Sequence, residues 1–334
     1  MQSRLDDPMN PDRPLVVFLG DDIDEEDHDL LFPAIRECGV GVVRVHPHDL
    51  VTHMDGTEIS FSVAGRPLAP DLVVGWVLDE LLIEGMAQLD VLQRAGIPVI
   101  NQTLTLFRAQ NKYLDSSLLS AGGVLRYPVI SGRDPGPLAD WLEKLDGPAV
   151  IKPLVGFGGR GLRKLDGAGE FQEFVTELET QGADYYAVPW IDNPGRDIRV
   201  YTVNHHAVFA IYRYAPAGEW ITNVRAGGGL AMCPLTEEIA ELAEQASKAA
   251  GTLICGVDVA ENQATGELVI YEINSCPTCE PPVLAEVASF LTALVHDWES
   301  ALSTWRPEMV YDQLDNDPAL FHRSKQGKIR AADS

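Results

Sequence analysis

LICGVDVAENQATGELVIYEINSCP, residues Leu253–Pro277, decides more about this chain than any other stretch because it gathers oxygen ligands around one point. Two β-rich runs, Ile254–Ala260 and Glu267–Ile273, flank the turn-prone Gln263-Ala264-Thr265-Gly266 and predict a β-hairpin. With the hairpin centred near Thr265, Asp258 lies directly opposite Glu272. Side chains alternate along a strand, so Asn274 shares the face of Glu272, and Gly256 opposite it leaves room. Carboxylate and amide oxygens on one patch are hard ligands suited to Mg²⁺ or Mn²⁺, which keeps water and binds nucleotide phosphates. Taken alone, the stretch is equally an ordinary hairpin with a solvated polar face.

A second motif lies upstream. Ala149-Val-Ile-Lys-Pro-Leu-Val-Gly-Phe-Gly-Gly-Arg-Gly161 sets Lys152 at the end of a strand and then a loop with Gly156, Gly158, Gly159 and Gly161. Glycines let backbone N–H groups approach phosphate oxygens, and Lys152 reaches them as a point charge. The spacing also fits the dinucleotide fingerprint G-x-G-x-x-G, but that fingerprint needs a helix next. Here Leu162-Arg-Lys-Leu-Asp-Gly167 reads as a strand and turn, so the loop is a flap between two strands, and no Gly-Lys-Ser/Thr makes it a Walker loop. A β-loop-β flap over ATP phosphates is the expectation.

Tyr185–Ile191 (YYAVPWI) is a strand running into a loop, and Val188, Trp190 and Ile191 can offer backbone groups to adenine. Asp197 and Arg199, two apart, share a face. Arg213 and Arg225, with Asn223 between them, flank Gly227-Gly228-Gly229, as a developing phosphoryl charge and an incoming carboxylate require. For any one of these arginines a surface salt bridge is the alternative. Cys276-Pro-Thr-Cys279 lacks the second pair or histidine of a zinc site and reads as incidental thiols beside the site. His205-His206 is expected to face solvent in a turn, and the acidic run Asp21–Asp29 reads as a solvated loop entering a helix N-terminus.

Composition bounds the rest. At 334 residues and 46% hydrophobic, the chain suggests two or three globular units. A net charge of −25 argues against nucleic acid and anionic membrane as partners. No apolar run of about 18 residues occurs, the N-terminus is polar, and five cysteines imply no disulfide framework, so a cytoplasmic protein is expected. Basic residues nevertheless concentrate centrally (Lys152, Arg160, Arg163, Lys164, Arg196, Arg199, Arg213, Arg225), where an anionic substrate is met.

The first hundred residues alternate strand (15–19, 41–45, 72–77, 97–100) and helix (29–38, 80–95), which implies a small parallel sheet. Further helices are expected over 105–121, 137–144, 170–180, 236–250 and 282–301. Strands are expected near 127–130 and at 149–152, 162–165 and 185–190, with a hairpin over 199–214 around Asn204-His205-His206.

In this order the motifs resemble the ATP-grasp superfamily, in particular its RimK-like branch of carboxylate–amine ligases. The resemblance rests on Asn101…Lys112, Lys152-Pro with its glycine loop, Gly195-Arg-Asp-Ile-Arg199 and Arg213…Trp220…Asn223…Gly227-Gly228. Gly256-Val-Asp258…Glu272-Ile-Asn274-Ser-Cys-Pro277 completes it, and together the motifs cover roughly residues 70–300. It implies an α/β (α+β) ATP-grasp fold. The parts are an N-terminal Rossmann-like parallel-sheet domain (1–104), a central lid (105–187), a C-terminal antiparallel subdomain (188–305) and a polar tail (306–334). It also implies roles: Lys112, Lys152 and the glycine flap on ATP phosphates, Asp197 near the ribose, Asp258, Glu272 and Asn274 on Mg²⁺, and Arg213 at phosphoryl transfer.

The implied reaction joins a small-molecule or peptide carboxylate to an amine, with ATP consumed; a homo-oligomer is left open. A small-molecule kinase on the same fold is the alternative, ahead of a non-hydrolysing ATP-binding regulator or a dehydrogenase. Relatives carry Ser-Ser-Pro-Gly or similar where this chain has Ser275-Cys-Pro-Thr-Cys, and often an arginine where it has Gly75-Trp76. Both departures face the acceptor side, so neither substrate carries over.

Overall fold

The computed structural model describes residues 13–21, 25–156, 158–222 and 229–308. Along the chain come β1 (Leu15–Gly20), α1 (Glu25–Glu37), β2 (Gly41–Val45), β3 (Leu50–Asp55), β4 (Glu58–Val63), β5 (Arg66–Leu68), β6 (Leu72–Trp76), α2 (Leu82–Arg94) and β7 (Val99–Ile100). β1, β2, β6 and β7 form a parallel sheet in the order β2-β1-β6-β7. Its inner strands, LVVFLG and LVVGW, are buried throughout, as strands covered on both faces must be.

β3, β4 and β5 form a separate antiparallel sheet that the sequence reading did not anticipate. Its strands are largely exposed; only β4 alternates, with Ile59, Phe61 and Val63 on one face and Glu58, Ser60 and Ser62 on the other, while β3 and β5 show no such pattern.

The chain continues through α3 (Thr103–Gln110) and α4 (Lys112–Ala121), which correct the single helix expected over 105–121. Asn111 is extended (φ −108°), and its side-chain oxygen accepts the N–H groups of Tyr113 and Leu114, so it caps α4 instead of continuing α3. Next are β8 (Ile130–Gly132), α5 (Pro135–Lys144), β9 (Ala149–Ile151), β10 (Arg163–Leu165), α6 (Ala168–Gln181) and β11 (Tyr185–Pro189). The four strands make an antiparallel sheet, β10-β9-β11-β8, and the glycine loop joins β9 to β10 as a β-loop-β flap.

The last part holds β12 (Arg196–Val203), β13 (His206–Tyr214), β14 (Gly229–Met232), α7 (Glu237–Ala250), β15 (Ile254–Glu261), β16 (Leu268–Asn274), α8 (Pro281–His296) and α9 (Trp298–Thr304). The five strands form one antiparallel sheet, β14-β13-β12-β15-β16. The helix expected over 282–301 breaks at Asp297, which is extended and caps α9 by accepting the Ser300 N–H. α8 is apolar on most sides because it is packed on most sides, sharing a core with the parallel sheet, α1 and β13.

Two polar expectations also change. Asp27 and His28 lie inside α1 and are buried, and Asp27 accepts the Cys279 N–H at 2.9 Å, so this part of the acidic run is structural. His205 meets the Ser247 hydroxyl at 2.8 Å and is half-buried against α7, because the tight hairpin lays the ring on the helix. Among the described residues no helix is long and apolar enough to cross a membrane.

Candidate functional site

The β15–β16 ladder pairs Asp258 with Glu272 and Gly256 with Asn274, the register expected from sequence. Beyond Asp258 the register shifts by one residue, which leaves Tyr271 as a β-bulge directly before Glu272. A cleft of about 910 Å³, its open mouth included, lies above this face. Lys112, Lys152, Gly156, Gly158, Gly159, Val188, Trp190, Ile191, Asp197, Arg213, Asp258 and Glu272 all line it. Asn274 lines a smaller adjoining cavity of about 470 Å³, which shares Lys112, Gly156 and Glu272 with the first. Asn223 and Arg225 lie outside the described residues.

Lys112, the first residue of α4, donates to the Gly156 carbonyl at 3.0 Å and lies 3.1 Å from the Glu272 carboxylate. One side chain thus links the glycine loop to β16. Lys152 leaves β9 with its N–H fixed on the Tyr186 carbonyl, and its ammonium sits 5.4 Å from the Tyr271 ring centre. Burial lowers the Lys152 pKa, against the opposing pull of Glu272. At Glu272 burial acts upward, but Lys112 and Lys152 outweigh it and hold the carboxylate below its ordinary range.

Beside Glu272, across β15, β12 and β13 of the same sheet, lies a buried ion network. Arg199 chelates Asp258 through Nε and Nη2, the second contact being 3.0 Å. Arg213 reaches both Asp197 oxygens at 2.7 Å and lies 2.9 Å from Asp258, and the Thr222 hydroxyl donates to Asp197 at 2.6 Å. Burial pushes the Asp258 pKa up, yet the two guanidinium groups outweigh it and keep the group ionised below its usual range. The room left by Gly256 is filled by Arg199: a Cβ there would stand 2.6 Å from the Arg199 Cδ.

Where β11 runs into its loop, the Trp190 backbone N–H is taken by the Pro148 carbonyl. Its contribution to the cleft is therefore its ring, which stands edge-on to Trp220 at 5.5 Å with the Lys164 ammonium over it at 4.5 Å.

A family model covers this part of the chain. The description "RimK-like ATP-grasp domain" matches residues 109–283. The chain belongs to the RimK-like ATP-grasp family. It is 30% identical over 263 residues to the tetrahydromethanopterin:alpha-L-glutamate ligase of Methanococcus maripaludis, covering 75% of this chain and 87% of that protein. To the enzyme of the same name from Methanosarcina acetivorans it is 35% identical over 213 residues, 56% of this chain and 65% of that one, so the match spans just under two thirds of that relative. Among solved structures, the ATP-grasp ligase PsnB complexed with a phosphomimetic variant of its minimal precursor, Mg and ADP superposes with a TM-score of 0.66 at 16% identity. It covers 84% of this chain and 98% of PsnB, a likeness of fold.

Two residues of this RimK-like ATP-grasp protein gain a place that sequence reasoning did not assign. Arg199, expected on the face of Asp197 and among the bases that meet an anionic substrate, instead holds Asp258. Asp115 is 2% exposed; one carboxylate oxygen accepts the Ile273 N–H at 3.1 Å and the other has no hydrogen-bond partner. Burial pushes its pKa up to about 8. Its signal in the sequence was its spacing, three residues after Lys112 and so on the same helix face. The Cys276 thiol donates weakly to the Gly75 carbonyl at 3.7 Å.

Proposed function

We propose that this protein joins a carboxylate to an amine with ATP, giving an amide or peptide bond, ADP and phosphate, and that it acts in the cytoplasm. The observation that carries the reading is the registered pair Asp258–Glu272 facing Lys112, Lys152 and the glycine loop in one cleft. Hard oxygens and paired ammonium groups are what a triphosphate with its cation requires.

Mg²⁺ or Mn²⁺ fits the donor set. Asp258, Glu272 and Asn274 supply oxygen only. Among the described residues no three His, Cys, Asp or Glu cluster as a metal site, so these three residues would hold an ion only together with water and phosphate oxygens. The ion, when bound, neutralises charge on the phosphates. Lys112 and Lys152 hold the phosphates under Gly156, Gly158 and Gly159. Val188, Trp190 and Ile191 flank the adenine, and Asp197 lies beside the ribose. A substrate carboxylate oxygen attacks the γ-phosphorus and ADP leaves, giving an acyl phosphate. The amine then attacks the acyl carbon, loses a proton and expels phosphate. Arg213 stabilises the transferring charge, with Asn223 and Arg225 assigned to the same region.

The substrates are a small-molecule or peptide acid and an amine, in keeping with a relative named as a glutamate ligase and a fold neighbour solved with a precursor. The test is a panel of amino acids and peptides screened for stimulated ADP release, followed by hydroxylamine. An acyl phosphate yields a hydroxamate together with ADP. A stable phosphate ester without hydroxamate would overturn the ligase reading and establish a kinase.

A further inference from the structure

Glu272 and Asn274 belong to an edge strand. Among the described residues β16 pairs only with β15, and it resumes that pairing immediately after the bulge at Tyr271. A bulge is an extra residue that pairing alone does not fix in place. If the bulge were lost and the pairing slipped by one residue, the side chains beyond it would swap faces, and Glu272 and Asn274 would leave the cleft.

Two side chains brace this point from outside the sheet. The Tyr127 hydroxyl donates to the Tyr271 carbonyl at 3.3 Å, and Asp115 accepts the Ile273 N–H at 3.1 Å, between the two ligand residues. Asp115 rides on α4, whose N-terminus is itself tied to the glycine loop by the Lys112 N–H on the Leu154 carbonyl at 2.8 Å. One helical turn therefore grips Glu272 by its side chain through Lys112 and Ile273 by its backbone through Asp115.

We infer that Asp115 is a positioning residue that pins the Tyr271 bulge, keeping Glu272 and Asn274 on the nucleotide face. The inference rests on the metal assignment above. Its role is that of an acceptor for one backbone N–H, which an amide oxygen fills and a methyl group does not.

The experiment measures ADP affinity by calorimetry with Mg²⁺ and with chelator, and exchange of the Ile273 amide by NMR, for the full chain and two variants. Asp115→Ala is expected to lose on the order of tenfold in the Mg²⁺-dependent gain in affinity, as removal of groups supporting metal ligands does. Its affinity in chelator should stay unchanged, and Ile273 exchange should accelerate. Asp115→Asn should restore both toward wild type. A fast-exchanging Ile273 amide in the wild type, or an Asp115→Ala variant with the full Mg²⁺ gain and unchanged exchange, overturns the pinning. So does an Asp115→Asn variant as impaired as the alanine. A wild type whose ADP affinity ignores Mg²⁺ removes the metal assignment instead, and Ile273 exchange in the variants then decides the pinning alone.

Discussion

At the scale of single residues, the site works by pairing buried charges so closely that each side chain depends on its neighbour. Gly256 is the sharpest case, since Arg199 reaches Asp258 only by crossing the space where a side chain would stand. Gly256→Ala would place a methyl 2.6 Å from the Arg199 Cδ and 2.8 Å from its Nη1. The guanidinium must then shift off Asp258, at a cost of about 1–3 kcal/mol for overpacking and a loosened ion pair. Chemical denaturation should show that loss, and calorimetry should show weaker Mg²⁺-dependent ADP binding. A variant as stable and as tight-binding as wild type would mean that Arg199 is free to leave.

At the scale of elements, the flap between β9 and β10 depends on backbone conformations that favour glycine. Gly158 and Gly159 both have φ of +74°; a Cβ on Gly158 meets nothing, whereas one on Gly159 lies 2.8 Å from an Ile221 methyl. Alanine at Gly158 therefore carries only backbone strain, about 1 kcal/mol. Alanine at Gly159 adds a clash across the cleft mouth. ADP affinity should fall in both variants and further in Gly159→Ala; the reverse order would contradict the packing of the flap on residue 221. α4 shows the same economy, because its cap Asn111 ends one helix, starts the next and bridges to Val155 of the flap.

At the scale of the whole molecule, α8 is the join: it starts just after the ligand strand and packs on α1 and the parallel sheet. Its N-cap Glu280 is 8% exposed, and burial together with nearby Asp27 pushes its pKa up to about 7 from an ordinary 4.5. The folded protein thus holds this proton more tightly than the unfolded chain. Stability from this group is full below pH 4.5 and is lost as pH rises to about 7. The loss is of order 3 kcal/mol. Glu280→Gln should flatten the stability profile between those values and be more stable than wild type at pH 8, as urea denaturation across pH will show. An unchanged slope would exclude Glu280 as its source.

The sequence by itself determined the hairpin, the Asp258–Glu272 and Gly256–Asn274 pairs, the flap and the family, because turn chemistry, strand alternation and glycine spacing are local properties. It also located Lys112 and Lys152. Packing alone set the bulge at Tyr271, the break of one helix at Asn111, the sheet over residues 50–68, the burial of Asp27 and the half-burial of His205 against α7. It alone set Arg199 against Asp258 and Asp115 against Ile273, residues 59 and 158 positions apart. No local pattern encodes such contacts. Their partners are chosen by which strand edges and buried charges remain unsatisfied once the sheets and helices have packed.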